Sequence, residues 1–224
     1  MEVDGEINGE AVGRCLSSFI DDGTTESHRY YLARRTTLEM LKDRGYIIPS
    51  SEINQTLHEF RSIFGPKPDL DRLRIASVLQ ADQSKRIMVI FCGPQLVKVN
   101  TVRGIGAQIV NKEGLNGLIL ILQSKITSQA QRAVDQFQFK VEIFQITDLL
   151  VNITSHVLKP KHQVLTPREK EKLLKKYNLE EKQLPRMSMK DAIVRYYGYE
   201  KGQVLKVTYS GEITQSHVTY RCVS

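Results

Sequence analysis

Cysteine is scarce in this chain, and nothing in the sequence pairs the few that are present. The three cysteines, Cys15, Cys92 and Cys222, are widely scattered, and none belongs to a CxxC motif. An odd, unpaired set is typical of a reducing compartment with free thiols, and it excludes a zinc ribbon. We therefore expect neither disulfides nor a structural metal site.

Long apolar segments are missing as well. The run Leu118–Leu122 is far shorter than the roughly 20 residues that a membrane-spanning helix needs. The start, from Met1 to Glu6, is acidic and lacks the basic and apolar regions of a signal peptide. The sequence therefore predicts neither membrane contact nor secretion.

No recognisable catalytic set is present, although one nuclease-like pattern comes close. Metal-dependent nucleases place Pro-Asp before a strand that carries acid-x-Lys, so that carboxylates share Mg²⁺ beside a base. Pro68-Asp69 is present, but Asp82 to Lys85 has one residue too many, and the strand with Glu142 has no lysine. A turn-forming role for Asp69 is the favoured interpretation.

Two other candidate sites fail on spacing or on neighbours. Gly104 and Gly106 begin a dinucleotide fingerprint, but Ile109 stands at the third glycine and the pair lies inside a predicted helix, so close helix packing is favoured. His156 and His162 have lysines rather than acidic or cysteine ligands around them, which favours hydrogen bonding over zinc. The sequence predicts no catalytic residue, no metal ligand and no cofactor.

Hydrophobic periodicity predicts alternating helices and strands in the first two thirds of the chain. Helices are predicted over 26–44, 52–64, 96–111 and 128–137, and strands over 73–79, 87–91, 118–123 and 141–146, with a turn at 82–85. Tyr30, Ala33, Thr37, Leu38 and Leu41 share one face of the first helix. This order indicates an α/β layered fold with a partly parallel sheet.

The composition divides the chain. Residues 151–224 hold 14 Lys and Arg against 7 Asp and Glu, whereas residues 1–150 hold 18 of each. We predict a flexible lead-in over 1–23, one domain over 24–153 and a second over 154–224. The charge surplus of the second domain fits an acidic partner or nearby nucleic acid, and equally a solubilising surface.

The second domain opens with a strong helix signal. Thr166, Pro167 and Glu169 form a capping box with proline at the first helical position. The helix is predicted to reach Tyr177, with Leu173, Leu174 and Tyr177 on its buried edge.

Residues 183–204 contain two arginines that could bind a partner, Arg186 and Arg195, together with residues that favour turns. Pro185 keeps Leu184 out of a helix, and Ser188 can cap the helix that follows. Gly198 stands where that helix ends, and Gly202 permits the turn into the apolar run 204–207. Such a unit is suited to holding a partner rather than to catalysis.

The same block, with the end of the chain, contains a set of residues at fixed spacings: Gln183-Leu184-Pro185-Arg186, Asp191, Arg195-Tyr196, Gly198, Gly202-Gln203-Val204 and Tyr220-Arg221. In these residues the chain resembles the fifth subunit shared by eukaryotic nuclear RNA polymerases, and the archaeal counterpart of that subunit is similar over the final segment. Upstream matches are Leu149 to Thr154, His156, Pro160, His162, Leu173-Leu174 and Tyr177. Many fixed positions at fixed spacings make this resemblance specific.

The resemblance implies a non-catalytic, nuclear subunit with an N-terminal nuclease-like α/β jaw domain and a small C-terminal α+β assembly domain. The implied partners are the largest polymerase subunit and other subunits, with weak contact to downstream DNA and no homo-oligomer. The implied subunit interface is Leu184, Pro185, Arg186, Asp191, Arg195, Tyr196, Gly202, Val204, Tyr220 and Arg221, and the DNA-proximal residues are Thr127, Ser128 and Gln129. For Arg195, an internal ion pair with Asp191 is an equally open interpretation.

Departures from the family pattern indicate a specialised variant. Ser128 replaces a proline in the DNA-side turn, Ala192 replaces the proline after Asp191, and residues 210–217 replace the typical hairpin. These changes, together with the stretch 27–35, resemble the variant of plant RNA polymerase V, which serves RNA-directed DNA methylation. The alternatives are the subunit shared by polymerases I, II and III, or a free-standing nuclease-fold DNA-binding protein.

Overall fold

The computed structural model describes residues 25–109, 114–211 and 215–224. The predicted lead-in over 1–23, including Cys15, lies outside the described residues. The chain forms two compact units. The second unit holds Glu39–Tyr46 and Val151–Ser224, and the first holds the other described residues. The predicted domain ranges stay predictions, but the end of the first helix belongs to the second unit.

The first unit is built from helices around one sheet. The helices are α1 (Thr25–Asp43, in the first unit up to Leu38), α2 (Ser50–Ile53), α3 (Leu57–Phe64), α4 (Val99–Gln108) and α5 (Ser128–Val134). The strands are β1 (Ile75–Leu79), β2 (Asp82–Phe91), β3 (Leu115–Leu122) and β4 (Lys140–Gln145), and a 3₁₀ turn follows at Ile146–Leu149. The next 3₁₀ turn, Ile153–Ser155, belongs to the second unit.

Sheet order confirms the predicted α/β layer. The strands run in the order β1-β2-β3-β4, with β1 antiparallel to β2 and the other two pairs parallel. Every residue from Leu118 to Leu122 is at most 1% exposed, as expected for a strand covered on both faces. The predicted stripe of α1 is buried too, from Tyr30 to Leu41.

Two predicted elements of the first unit were wrong in their bounds. The single helix predicted over 52–64 is broken, because Thr56 and Glu59 form a capping box that starts α3 anew. The predicted turn at 82–85 belongs to β2, because Asp82 already pairs with Leu79 of β1 and Arg86 pairs with Val78. The reversal lies one step earlier, between β1 and β2.

The helices predicted over 96–111 and 128–137 are both shorter. Val97 is held in a parallel bridge to Ile126, so α4 begins only at Val99. It ends at Gln108, and residues 110–113 lie outside the described residues. Helix α5 ends at Val134, and the chain turns before Phe137 packs onto α4.

The second unit is a four-stranded sheet with two helices, which confirms the predicted α+β class. Its elements are β5 (Lys161–Val164), α6 (Pro167–Tyr177), β6 (Arg186–Met187), α7 (Ala192–Tyr197), β7 (Val204–Gly211) and β8 (Gln215–Val223), with a 3₁₀ turn at Glu181–Gln183. The order is β5-β7-β8-β6, antiparallel except for the parallel pair β6 and β8. Residues 212–214 of the predicted hairpin variant lie outside the described residues.

Helix α6 starts as predicted. The Thr166 hydroxyl accepts from the Glu169 amide, and the Glu169 carboxylate accepts from the Thr166 amide at 2.8 Å. Leu173 is buried and Leu174 partly buried, but Tyr177 is 53% exposed. The prediction for Tyr177 was wrong, because this residue at the end of the helix is exposed; its ring contacts the Lys176 ammonium, 5.2 Å from the ring centroid.

Candidate docking site

Strand β6 fixes the first predicted interface arginine. Arg186 pairs with Cys222 in the parallel register of β6 and β8. The Cys222 amide donates to the Pro185 carbonyl at 2.8 Å, and the Ser224 amide donates to the Met187 carbonyl at 2.9 Å. The backbone is therefore held on both sides of Arg186, whose side chain is exposed.

Helix α7 is capped by Asp191 and not by Ser188. The Asp191 Oδ1 accepts from the Ile193 amide at 2.8 Å, which is the N-cap contact of this helix. The Ser188 hydroxyl instead accepts from the Lys190 amide at 3.1 Å, within the turn that precedes the helix. The predicted cap was thus wrong by three residues. Both Ser188 and Asp191 can cap a helix, but the Ser188 hydroxyl is used within the preceding turn, so Asp191 caps α7.

The end of α7 is held by an arginine that is distant in sequence. Arg44 donates from Nε to the Tyr196 carbonyl at 2.7 Å and from its guanidinium to the Arg195 carbonyl at 2.6 Å. Gly198 has φ 68°, which confirms it as the helix stop, and a Cβ there would lie 3.1 Å from Arg44 Cζ. A cation is thus packed against the negative end of the helix.

Tyr196 joins the same polar cluster. Its side chain is 3% exposed, and its hydroxyl donates to Asp43 Oδ2 at 2.9 Å. Asn152 donates to Glu39 Oε2 at 2.7 Å and lies 3.4 Å from the Tyr196 hydroxyl. Burial raises the pKa of Tyr196, and the Asp43 carboxylate adds to this rise. The cluster ties the end of α1 to α7 within the second unit.

The predicted interface residues divide into scaffold and surface. Leu184, Tyr196 and Val204 are buried inside the second unit. Pro185 and Arg186 are exposed, and Asp191, Arg195, Gly202, Tyr220 and Arg221 are partly buried. Gly202 has φ 86° and confirms the predicted turn into β7. The buried members therefore position the exposed ones.

The predicted DNA-proximal turn is anchored in the first unit. The Thr127 amide donates to the Val97 carbonyl at 3.1 Å, and its hydroxyl accepts from the Ala130 amide at 3.2 Å. Ser128 and Gln129 are exposed at the start of α5. The Thr127 hydroxyl is thus engaged in capping, whereas the next two side chains face solvent.

Asp69, His156 and His162, the candidates for catalysis or metal binding, form hydrogen bonds within their own turns. Asp69 Oδ1 accepts from the Asp71 amide at 3.1 Å, which confirms the turn interpretation. His156 Nδ1 accepts from the Leu158 amide, and His162 Nδ1 lies 2.9 Å from the Pro160 carbonyl, so both histidines form the predicted hydrogen bonds. Burial is the main cause that lowers the pKa of His162. Within the described ranges, no three acidic, histidine or cysteine side chains cluster as metal ligands.

Packing tests the interpretation of the two helical glycines. A Cβ on Gly106 would lie 3.0 Å from Phe137, as the close-packing interpretation requires, whereas Gly104 has open space and does not fit it.

Burial raises the pKa of the Cys92 thiol to about 11, so this cysteine is protonated at neutral pH. Every helix among the described residues is too short or too polar to cross a bilayer.

Comparison with known proteins gives one consistent result. Residues 24–109 match the profile of the N-terminal domain of RNA polymerase Rpb5, and residues 151–223 match that of its C-terminal domain. DNA-directed RNA polymerase V subunit 5A of Arabidopsis thaliana is 56% identical over 223 residues, which cover 100% of both chains. Subunit 5B of polymerases IV and V from the same plant is 60% identical, over 92% of this chain and 94% of the relative. The subunit RPABC1 of polymerases I, II and III from Caenorhabditis briggsae is 32% identical over 90% of this chain and 99% of its own.

Proposed function

The chain belongs to the Rpb5 family of RNA polymerase subunits, and on that premise we propose that it serves in a plant nuclear RNA polymerase V. The difference in identity carries this proposal. Three relatives named for polymerase V, one of them also for polymerase IV, are 52–60% identical, whereas those named for polymerases I, II and III are 31–35% identical. The corresponding role is transcription in the nucleus for RNA-directed DNA methylation.

The subunit performs no chemistry of its own in this proposal. Asp69 is committed to a turn, and Cys92 is a buried, protonated thiol. Its contribution is structural, with the first unit as part of the jaw and the second as the module that binds the largest subunit. Arg186 on a paired strand and Arg195 in a capped helix support this division.

Docking on the largest subunit would use the exposed face of the candidate site. Arg186 is exposed on a strand that is hydrogen-bonded on both sides. Arg195 and Arg221 are partly buried, so less side-chain freedom is lost when they bind. Guanidinium groups in fixed places form bidentate pairs with carboxylates. The partner surface is therefore expected to be acidic.

Contact with downstream DNA would be weak and independent of sequence. Ser128 and Gln129 offer exposed polar groups beside an anchored backbone, and residues 1–150 carry no net charge. A photo-reactive residue in place of Gln129 in the assembled polymerase is expected to crosslink to DNA downstream of the active site. The same residue at exposed Gln83, far along β2 from this turn, is the control. Equal labelling of DNA from both positions would contradict the proposal.

Affinity purification from plant cells tests the polymerase class. The tagged chain is expected to recover the largest subunit of polymerase V in excess over those of polymerases I, II and III, measured by quantitative mass spectrometry. The same tag on a shared subunit of those three enzymes is the control. Recovery chiefly with polymerases I, II and III would assign this chain to the shared class instead.

A further inference from the structure

Three large apolar side chains of the second unit face solvent close together in sequence. Val157 is 96% exposed, Leu158 is 82% exposed and Val151 is 71% exposed, the highest values among the large apolar side chains of the described residues. Isolated exposed apolar residues are common on protein surfaces, but Val157 and Leu158 are adjacent at the tip of one turn, which favours an interaction site there.

Hydrogen bonds fix the turn that presents them. The Lys159 amide donates to the His156 carbonyl at 3.0 Å, which closes the turn over Val157 and Leu158. The Leu158 amide also donates to His156 Nδ1 at 3.2 Å. The two apolar side chains therefore project from a backbone that is already ordered, which lowers the entropy cost of binding.

The next residue anchors the turn to the candidate docking site. Lys159 Nζ donates to the Tyr197 hydroxyl at 2.8 Å and lies 5.1 Å from the centroid of that ring. Tyr197 in turn stacks on Tyr199, with ring centroids 5.2 Å apart. The turn and α7 thus form one continuous, supported surface.

The segment that carries the turn has positive charges only. Residues 151–167 contain no Asp or Glu, whereas Lys159 and Lys161 lie directly beside the apolar tip. Two copies of this chain meeting at the tip would bring these lysines together, which disfavours a homodimer. Val157 and Leu158 offer neither hydrogen bonds nor a stacking face, which disfavours nucleic acid.

We propose that the turn at residues 156–159 is a docking knob whose Val157 and Leu158 side chains insert into an apolar pocket with an acidic rim on another polymerase subunit. This inference rests on the proposed function, because the partner is a subunit of the same complex. It adds a contact that the family-derived interface residues do not include. The apolar tip supplies buried area, and the lysines set the orientation.

Substituting both tip residues tests the knob. The full-length variant V157D/L158D is expected to lose at least about tenfold of its co-purifying polymerase, because two carboxylates would enter an apolar, acid-rimmed pocket. Its thermal unfolding should match the wild type, since both side chains are exposed. Ile63→Asp, at a 50% exposed apolar residue of α3, is the matched control and should co-purify normally.

The outcomes separate this inference from the proposed function. Wild-type levels of polymerase with V157D/L158D overturn the knob alone, whereas a wild-type chain that recovers no polymerase overturns both. A photo-reactive residue at position 157 then identifies the occupant. A crosslink to an apolar pocket with acidic neighbours on a polymerase subunit supports the proposal. Crosslinks only to a second copy of this chain, to nucleic acid or to a protein outside the polymerase contradict it.

Discussion

Arg44→Ala is expected to destabilise the second unit by about 2–4 kcal/mol, because one guanidinium makes two charge-assisted hydrogen bonds to the end of α7. These carbonyls lie in the last turn of the helix, where carbonyls lack i+4 amide partners, and the Arg195 carbonyl accepts in addition the C-cap bond from the Gly198 amide at 3.2 Å. Hydrogen exchange of the amides in 192–199 measures the effect locally, and the expected result is a loss of protection. Lys42→Ala removes a nearby exposed cation from α1 and is the control, with an expected change below about 0.5 kcal/mol.

Alanine substitutions at two glycines separate the effect of the Arg44 contact from the effect of backbone strain. Gly198 and Gly202 both have positive φ, so alanine strains each position by a similar amount of about 1 kcal/mol. A Cβ at Gly198 meets Arg44 at 3.1 Å, whereas a Cβ at Gly202 meets only Glu181 at 3.6 Å. Gly198→Ala is therefore expected to cost more than Gly202→Ala, and the excess should vanish in the Arg44→Ala background. An excess that persists there would contradict the role assigned to Arg44.

Arg186→Ala is expected to weaken binding to the largest polymerase subunit by about 2–5 kcal/mol, the typical cost of leaving a partner carboxylate buried and unpaired. The isolated chain should keep its stability, because the Arg186 side chain is exposed while its backbone stays paired to β8. Quantitative co-purification of the complex measures the loss of binding, and thermal unfolding of the chain alone shows whether its stability has changed.

Lys190→Ala is the matched control for Arg186→Ala. It removes one exposed positive charge from the same segment, but its side chain lies outside β6 and α7. We expect it to change co-purification little, since an exposed charge contributes mainly to the association rate. Equal losses for both variants would mean that net charge, rather than a specific arginine pair, drives docking.

Local signals predicted the elements whose ends are defined within a few residues. The Thr166 capping box, the Gly198 helix stop and the buried run of β3 were all visible in the sequence. The break before α3 was visible too, because Thr56 and Glu59 have capping-box spacing. The periodicity of the apolar residues on both sides of it outweighed that signal.

Contacts between distant segments could not be predicted in the same way. Arg44 and Tyr196 are 152 residues apart, and no local pattern marks an arginine after a helix as the cap of another helix. The Asn152 link to Glu39 has the same character. These bonds explain why the end of α1 belongs to the second unit.

A family motif also cannot tell scaffold from surface. Leu184, Tyr196 and Val204 belong to the same resemblance as Arg186, but they are buried in the second unit. Burial separates the positions that serve core packing from those that are accessible to a partner. Val157 and Leu158 are the opposite case, because their exposure, and not a motif in the sequence, makes them candidates for partner contact.

The decisive measurement is native mass spectrometry of the complex purified through this chain. We expect a single copy of the chain in a very large assembly that contains the largest subunit of RNA polymerase V. A chain found only free in solution, or only as a homo-oligomer without other polymerase subunits, would show that it does not serve as a polymerase subunit.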